Sequence, residues 1–247
     1  MPNPLIKKIF RKLRKAFPLL RADKYPPIPS IPSALRRSNT IFVHVPKAAG
    51  STINLCLFGY RIGHRSIESF WKSDPVFTEQ AFKFTFVRHP YFRFVSAYRY
   101  LLAGGMSSRD ADYQRRFPDA FRSLRAFAEA CEDPAFRNAI MHLRQQSEFL
   151  SLPSTMRYKV FMDYVGKTEF LNEHIELLQT LMPDDLSRRL QLAKEVRINS
   201  MKSQSAKIDP DVFQSIRKTY QDDFELFGYD EWGTPDKAET LLAGVGP

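Results

Sequence analysis

Short apolar runs alternate along this chain with longer segments in which apolar residues recur every three or four positions. The runs at 42–45, 82–87 and 162–165 predict buried strands. The longer segments predict helices over 51–60, 91–102, 121–131, 136–149, 171–181, 186–196 and 209–227. Because strands and helices alternate, we predict an α/β fold of three layers, with a central parallel sheet flanked by helices.

Proline positions and polar stretches suggest how the chain is divided. Prolines at 26, 27, 29 and 32 predict an extended linker, taken as 25–37. We expect one catalytic domain over 38–232, preceded by a separate segment at 1–24 and followed by a tail at 233–247. A polar interruption at 104–119 either lines a site above the strand ends or is an ordinary solvated loop.

The net charge of +10 is concentrated at the start of the chain. Segment 1–24 holds eight basic residues against the single acidic Asp23, and its apolar residues are spaced by three to four. This pattern is typical of a basic amphipathic helix that contacts an anionic membrane surface. A helix packed on the domain, or a disordered tail, would have the same composition. Because the basic charge is concentrated in this segment and not on the domain, we expect no nucleic-acid partner.

Cysteine content and hydropathy limit the cellular setting. The two cysteines, Cys56 and Cys131, are too few for a disulfide framework, which favours a reducing, cytoplasmic compartment. They also show no metal-ligand spacing, so we expect no metal. The chain has no run of about 18 apolar residues, the length needed to span a bilayer.

The turn after the first apolar run combines Pro46, Lys47, three small residues and two hydroxyls, in the order Pro-Lys-Ala-Ala-Gly-Ser-Thr. Pro46 ends the strand ladder, and the small residues let an anion approach backbone N–H groups at the start of the next helix. These features predict a phosphate cradle, although a plain strand-to-helix turn is an alternative. The order differs from a Walker A loop, in which Lys follows the second Gly.

A second motif follows the run at 82–87. Arg88 ends the strand, Pro90 suits the first turn of a helix, and Ser96 lies about two turns into that helix. Ligands of open α/β sheets bind at the carboxyl ends of strands. If the two strands are parallel neighbours, both motifs therefore belong to one site.

At these residues the chain resembles the PAPS-dependent sulfotransferases, and among them the carbohydrate sulfotransferase group. Residues 44–52 are similar to the family's 5′-phosphosulfate loop, and Arg88-x-Pro90-x-x-Arg93-x-x-Ser96-x-Tyr98 is similar to its 3′-phosphate motif. Further similar segments lie at 142–150, 164–169, 199–200 and 220–229, so the likeness covers 39–230. The resemblance implies a P-loop-like fold and transfer of a sulfuryl group from PAPS to a carbohydrate or glycoconjugate hydroxyl. Golgi members carry an N-terminal anchor, and without one we expect a bacterial-type enzyme.

The resemblance also implies roles for individual residues. Lys47 would be catalytic and would bind the donor together with Ala48, Ala49, Gly50, Ser51 and Thr52, while Arg88 and Ser96 would hold the 3′-phosphate. His64 matches the position of the catalytic base. The remaining implied contacts are His142, Arg144 and Gln145 for the acceptor, and Asn199 and Ser200 for closure over the nucleotide.

Other interpretations of the histidines and of the motif stay open. His44 is expected to be a structural hydrogen-bonding residue, and His174 to be solvated on a polar helix face. His89 stands where the family often has Asn. Arg93 and Tyr98 match the motif, but their helical spacing suits packing as well.

Two further functions and two further bases remain as alternatives. A P-loop kinase or NTPase would need Lys after Gly and an acidic strand end for magnesium. A non-catalytic, membrane-binding module would rest on segment 1–24 alone. If neither His64 nor His142 is the base, a carboxylate such as Glu68 or Glu148 becomes the candidate.

Overall fold

The computed structural model describes residues 30–152, 159–195 and 209–229. The predicted basic segment 1–24, the pair Asn199 and Ser200, and the tail 233–247 lie outside the described residues. No helix in the described part of the chain has the length and apolar character needed to cross a bilayer.

A parallel sheet of order β1–β2–β5 forms the centre of the described fold. Its register pairs Val43 with Thr85 and Val87 with Lys167, so the three strands end at the same edge. A short antiparallel pair, β3 and β4, lies apart from this sheet. The strands are β1 (Thr40–Val43), β2 (Phe82–Val87), β3 (Ser151–Leu152), β4 (Lys159–Val160) and β5 (Tyr164–Lys167).

Helices flank the sheet, as the alternation of strands and helices predicted. One group packs α2, α10 and α11 together, and a second group packs α5, α7 and α12 together. The helices of the described residues are α1 (Ser33–Ser38), α2 (Gly50–Phe58), α3 (Ile67–Ser73), α4 (Pro75–Gln80), α5 (Pro90–Leu102), α6 (Ser108–Arg116), α7 (Leu124–Glu132), α8 (Pro134–Ala139), α9 (Ser147–Leu150), α10 (Leu171–Leu181), α11 (Asp184–Glu195), α12 (Pro210–Thr219) and α13 (Gln221–Leu226).

Local chemistry explains where several helices begin. Asp-Pro pairs open α4, α8 and α12, with the carboxylate accepting from backbone N–H groups of the first turn and Pro at the first helical position. Helix α5 begins in a similar way, because Nδ1 of His89 accepts from the N–H of Tyr91 before Pro90 continues the helix. Gly59 ends α2 in the left-handed conformation (φ 75°).

The prediction of one helix over 136–149 is wrong, because this part of the chain forms α8, a 3₁₀ turn (Met141–Leu143) and α9. The guanidinium of Arg93 donates hydrogen bonds to the carbonyl oxygens of His142 and Arg144, at 3.2 and 2.6 Å. The N–H groups of Gln146 and Ser147 donate to the Asp223 carboxylate, at 2.8 and 2.9 Å. Side chains from other helices thus replace the bonds that a continuous helix would make.

Three other predicted elements differ from the structure. The polar interruption at 104–119 contains helix α6, which begins with a Ser107–Asp110 capping box. The helix predicted over 121–131 is a 3₁₀ turn (Ala120–Arg122) and then α7. The helix predicted over 209–227 is interrupted at Tyr220, whose hydroxyl donates to the Leu143 carbonyl at 2.6 Å.

The predicted linker at 25–37 overlaps helix α1, so its last five residues are not extended. Leu35 on this helix is fully buried, and Ile31 before it is 6% exposed. The left-handed Asn39 (φ 48°) ends α1 and leads into β1. The packed part of the chain therefore begins before the boundary predicted at residue 38.

We predict that Asp223→Ala lowers the free energy of unfolding by about 3 to 5 kcal/mol, because it leaves the buried N–H groups of Gln146 and Ser147 without acceptors and the nearby Arg93 charge uncompensated. Urea denaturation measures this loss. Glu225→Ala on the same helix is the control, since Glu225 is exposed and, among the described residues, its side chain pairs only with Gln221. Equal stability of the two variants would contradict the role of Asp223.

Candidate active site

The turn after β1 has the geometry of an anion cradle. Lys47 and Ala49 both adopt the left-handed conformation, with φ of 68° and 57°, although neither is glycine. Within the described residues, no hydrogen bond uses the backbone N–H of Lys47, Ala49, Gly50 or Ser51. Because these donors lie at the start of α2, the turn offers several N–H groups to one negatively charged ligand.

Gly50 is required by the packing of His44. A Cβ atom added at Gly50 would lie 1.9 Å from Cδ2 of the His44 ring. His44 is 4% exposed, and its Nδ1 accepts from the Asn54 side-chain amide at 3.0 Å. The expected structural role of His44 therefore agrees with its contacts, and the ring fills the space that a side chain at residue 50 would take.

Lys47 lies above the ring of Tyr100, with Nζ 4.0 Å from the ring centroid. Burial and the nearby Arg88 charge lower the pKa of Lys47 to about 8, while the Asp110 carboxylate acts in the opposite direction. No ion pair within the described residues neutralises this lysine. Lys47 is therefore a half-buried cation available to an anionic ligand.

The turn after β2 presents Arg88 at the same edge of the sheet, because β1 and β2 are parallel neighbours. The Gln146 side chain holds this turn, accepting from the Arg88 N–H at 2.9 Å and donating to its carbonyl at 2.8 Å. Glu169 accepts from the next N–H, that of His89, at 2.8 Å. Two side chains from distant segments thus fix the backbone that carries Arg88.

The side chain of Arg88 remains available. Its guanidinium makes no hydrogen bond to any residue that the structure describes. Burial lowers the pKa of Arg88, and the negative charge of Glu169 acts against this effect. Ser96 lies two turns into α5, is 6% exposed, and has no hydrogen-bond partner for its hydroxyl among the described residues.

His64 reaches the site because Gly59 and Gly63 turn the chain back after α2, with φ of 75° and 86°. Its Nδ1 lies 2.9 Å from the His44 carbonyl oxygen. Since a carbonyl only accepts, Nδ1 carries the proton and Nε2 keeps a lone pair. Burial lowers the pKa of His64, despite the hydrogen bond to His44, so the imidazole is neutral at neutral pH.

His142 completes a cluster of three histidines. Its ring centroid lies 5.7 Å from that of His64, which in turn lies 4.1 Å from that of His44. Nε2 of His142 is 3.4 Å from Oδ1 of Asp110. Burial and the neighbouring His64 lower the pKa of His142 to about 4. The cluster is therefore uncharged at neutral pH.

The other predicted acceptor contacts lie beside His142 on the same segment. Nε of Arg144 pairs with Glu148 at 2.8 Å, so this guanidinium is partly neutralised. Gln145 is half-buried, and its Oε1 is buried without a partner among the described residues.

The remaining histidines and motif residues are structural. His174 is 1% exposed, and its Nδ1 lies 2.7 Å from the Tyr164 hydroxyl, so the prediction that it is solvated is wrong. Arg93 is 1% exposed and binds carbonyls, as described above. Tyr98 packs on the rings of Phe121 and Phe127. His89 is fully buried within a cluster of aromatic rings.

Sequence reasoning missed Asp110, Tyr100 and Gln146 as site residues. Asp110 carries a recognisable signal, because Ser107-x-x-Asp110 is a helix-capping pattern inside the polar interruption at 104–119. Gln146 lies in the segment 142–150 that is similar to the sulfotransferases, but no local pattern shows that its amide holds the Arg88 backbone. Tyr100 has no signal beyond its position on α5.

The fold and the site define an α/β protein in which cationic side chains and free N–H groups meet at the ends of two parallel strands. A model of the sulfotransferase family matches residues 35–230, more than half of the 247-residue chain. The chain therefore belongs to the sulfotransferase family, which confirms the resemblance found in the sequence, and its general chemistry is sulfuryl transfer. Comparisons with curated proteins and with solved structures give no significant match.

We predict that the free energy of unfolding falls as the pH drops from 7.5 to 5. Burial lowers the pKa of His44, His64, His142 and His174 in the folded protein, whereas the unfolded chain protonates histidine near pH 6.5. The unfolded state then binds more protons below that pH, and each such histidine costs up to about 1.4 kcal/mol of stability per pH unit. This stability is fully present above pH 6.5.

Urea denaturation at a series of pH values measures the slope. His64→Asn should make the slope shallower, since it removes one of the four groups. A free energy of unfolding that stays constant from pH 7.5 to 5 would contradict the prediction.

Proposed function

We propose that this protein transfers a sulfuryl group from PAPS to a hydroxyl of a carbohydrate or glycoconjugate, by in-line displacement with His64 as the general base. The observation that carries the proposal is the meeting of two donor-rich turns at the ends of β1 and β2, beside the neutral His64, whose Nε2 has no hydrogen-bond partner among the described residues. Family membership supports sulfuryl transfer in general. The donor, the acceptor class and the base are our own assignments.

The residues present fit the two anionic ends of PAPS. Lys47 and the N–H groups of the 47–51 turn, with the hydroxyls of Ser51 and Thr52, would hold the 5′-phosphosulfate. Arg88 and Ser96 would hold the 3′-phosphate, and the planar guanidinium suits phosphate because it can donate two parallel hydrogen bonds. Ala48, which is 1% exposed, adds no side chain that would obstruct the cradle.

When bound, PAPS supplies the sulfuryl group and is left as PAP. Nε2 of His64 would take the proton of the acceptor hydroxyl as that oxygen bonds to sulfur. Lys47 would neutralise the negative charge on the phosphate oxygen that the sulfur leaves. Its pKa of about 8 keeps most of the ammonium charged at neutral pH.

The acceptor would enter beside His142, Arg144 and Gln145, where helix α6 and the 141–147 segment border the histidine cluster. Gln145 is half-buried, and a side-chain amide can donate to or accept from a sugar hydroxyl. These three residues are thus the proposed acceptor contacts.

We predict that the protein binds PAP more than tenfold more tightly than ADP. A charge-assisted hydrogen bond to the 3′-phosphate contributes about 1.5 to 3 kcal/mol, and 1.4 kcal/mol corresponds to a factor of ten. Isothermal titration calorimetry without added metal measures both affinities.

Two arginine variants provide the matched comparison. Arg88→Gln should remove most of the preference for PAP, whereas Arg99→Gln, which removes an exposed charge from α5, should keep it. Equal affinity of the unmodified protein for PAP and ADP would reject PAPS as the donor. If magnesium were required for binding, the kinase-type alternative would be favoured instead.

We predict that His64→Ala lowers turnover by about 10² to 10⁴, while the affinity for PAP stays within a few fold. Removal of the base affects proton transfer but not the phosphate contacts. Lys47→Met should lower both turnover and PAP affinity. Transfer of labelled sulfate from PAPS to a panel of oligosaccharides, glycolipids and lipid-linked sugars measures turnover and also searches for the acceptor.

The His142→Ala variant separates the two candidate bases. Full turnover in His64→Ala together with loss in His142→Ala would show that His142 is the base. Near-normal turnover in both would exclude His64 and His142 as the base.

A further inference from the structure

Asp110 brings a carboxylate to the part of the site that holds Lys47 and the histidine cluster. It projects from α6, is 8% exposed, and uses both of its oxygens. Oδ2 accepts from the Tyr100 hydroxyl at 2.8 Å, from the Met106 N–H at 3.2 Å and from the Ser107 N–H at 3.1 Å. Oδ1 lies 3.4 Å from Nε2 of His142.

A capping role explains only part of these contacts. The Ser107 hydroxyl accepts from the Asp110 N–H, and the Asp110 carboxylate accepts from the Ser107 N–H, which is a complete capping box. The contacts with Tyr100 and His142 add nothing to the cap. Gly105 also makes room for this side chain, because a Cβ there would lie 2.2 Å from Cβ of Asp110.

Both additional contacts lead to residues with proposed catalytic roles. The Tyr100 ring, held by its hydroxyl, lies beneath Nζ of Lys47 at 4.0 Å. The His142 ring, which faces Asp110 through Nε2, lies edge-on to the ring of His64. Since a carboxylate only accepts, His142 directs its Nε2 proton to Asp110, and its buried Nδ1 has no partner among the described residues.

We propose that Asp110 is a positioning residue of this active site, whose carboxylate orients Tyr100 under Lys47 and His142 beside His64. The proposal rests on the catalytic roles given above for Lys47 and His64. Asp110 acts through Tyr100 and His142 and need not touch the donor or the acceptor.

The charge of Asp110 supports the same role. Burial opposes its ionisation, but the hydrogen bonds from Tyr100, Met106 and Ser107 outweigh burial and lower the pKa of Asp110. Its negative charge raises the pKa of Lys47, His64 and His142, against the effect of burial on each. The titratable or charged groups around this carboxylate are Lys47 after β1, Arg61 and His64 after α2, Tyr100 on α5 and His142 in the 3₁₀ turn.

The test is the titration of Lys47 in the free protein. Asp110→Asn removes the charge at nearly constant shape, so the pKa of Lys47 should fall below its value of about 8. Carbon-13 NMR of the lysine ε-carbons measures this, with the Lys47 signal assigned by its loss in Lys47→Met. In transfer assays the alkaline limb of the turnover profile should move to lower pH by the same amount.

Two variants on the same helix separate positioning from capping. Ser107→Ala removes the capping hydroxyl but leaves the Asp110 charge, so the melting temperature should fall while the Lys47 titration stays in place. Asp112→Asn removes a carboxylate that pairs with Arg115 away from the site, and it should leave the titration unchanged. An unchanged Lys47 titration in Asp110→Asn, or the same shift in Ser107→Ala, would overturn the proposal.

If Asp110→Asn does not fold, Tyr100→Phe decides the question. It breaks the hydroxyl contact that holds the ring under Lys47, so the Lys47 pKa should again fall, and an unchanged pKa would overturn the proposal. These titrations need no nucleotide. Failure of the unmodified protein to bind PAP would therefore reject the proposed function without deciding the role of Asp110.

Discussion

Two buried charged side chains, Arg93 and Asp223, hold the irregular segment 141–147, and the rest of the site depends on this clamp. Arg93 donates to the carbonyls of His142 and Arg144, and Asp223 accepts from the N–H groups of Gln146 and Ser147. These backbone groups therefore have partners without a continuous α-helix. Gln146, at the end of the segment, then fixes the Arg88 backbone with two hydrogen bonds. The turn after β2 is therefore positioned from α5 and α13 as well as by its own strand.

Burial of the site has opposite consequences for its acids and its bases. Removal of water disfavours charge, so it lowers the pKa of the histidines and of Lys47 and raises the pKa of Asp223. His64, kept neutral in this way and protonated at Nδ1, has a lone pair available at Nε2. The same burial lowers the pKa of Lys47 to about 8, so the lysine begins to lose its proton just above neutral pH. A neutral His64 and a charged Lys47 therefore coexist only over a narrow range of pH.

The sequence predicted the sheet and the placement of Lys47 and Arg88 at one of its edges, but not the contacts that hold these two residues in place. The strand Phe82–Val87 and the helix Leu171–Leu181 have the predicted bounds, because their apolar periodicity agrees with the packing. Lys47 and Arg88 follow buried strands, so their meeting at one edge followed from parallel pairing. The break at 141–147 was not predictable in this way, since Arg93 and Asp223 act from about fifty and eighty residues away in the chain. Asp110 was hidden by the polar composition of its segment.

The left-handed backbone at Lys47 and Ala49 has a consequence for the thermodynamics of ligand capture. Each non-glycine residue in this conformation costs about 1 to 2 kcal/mol, a cost that the folded protein bears before any ligand arrives. Glycines at these positions would remove the cost, but they would also let the turn sample many shapes. Lys47 and Ala49 restrict the turn to few conformations. An incoming anion therefore loses less of its binding free energy to the ordering of the turn, and the entropy of association is less unfavourable than a flexible, glycine-rich turn would give.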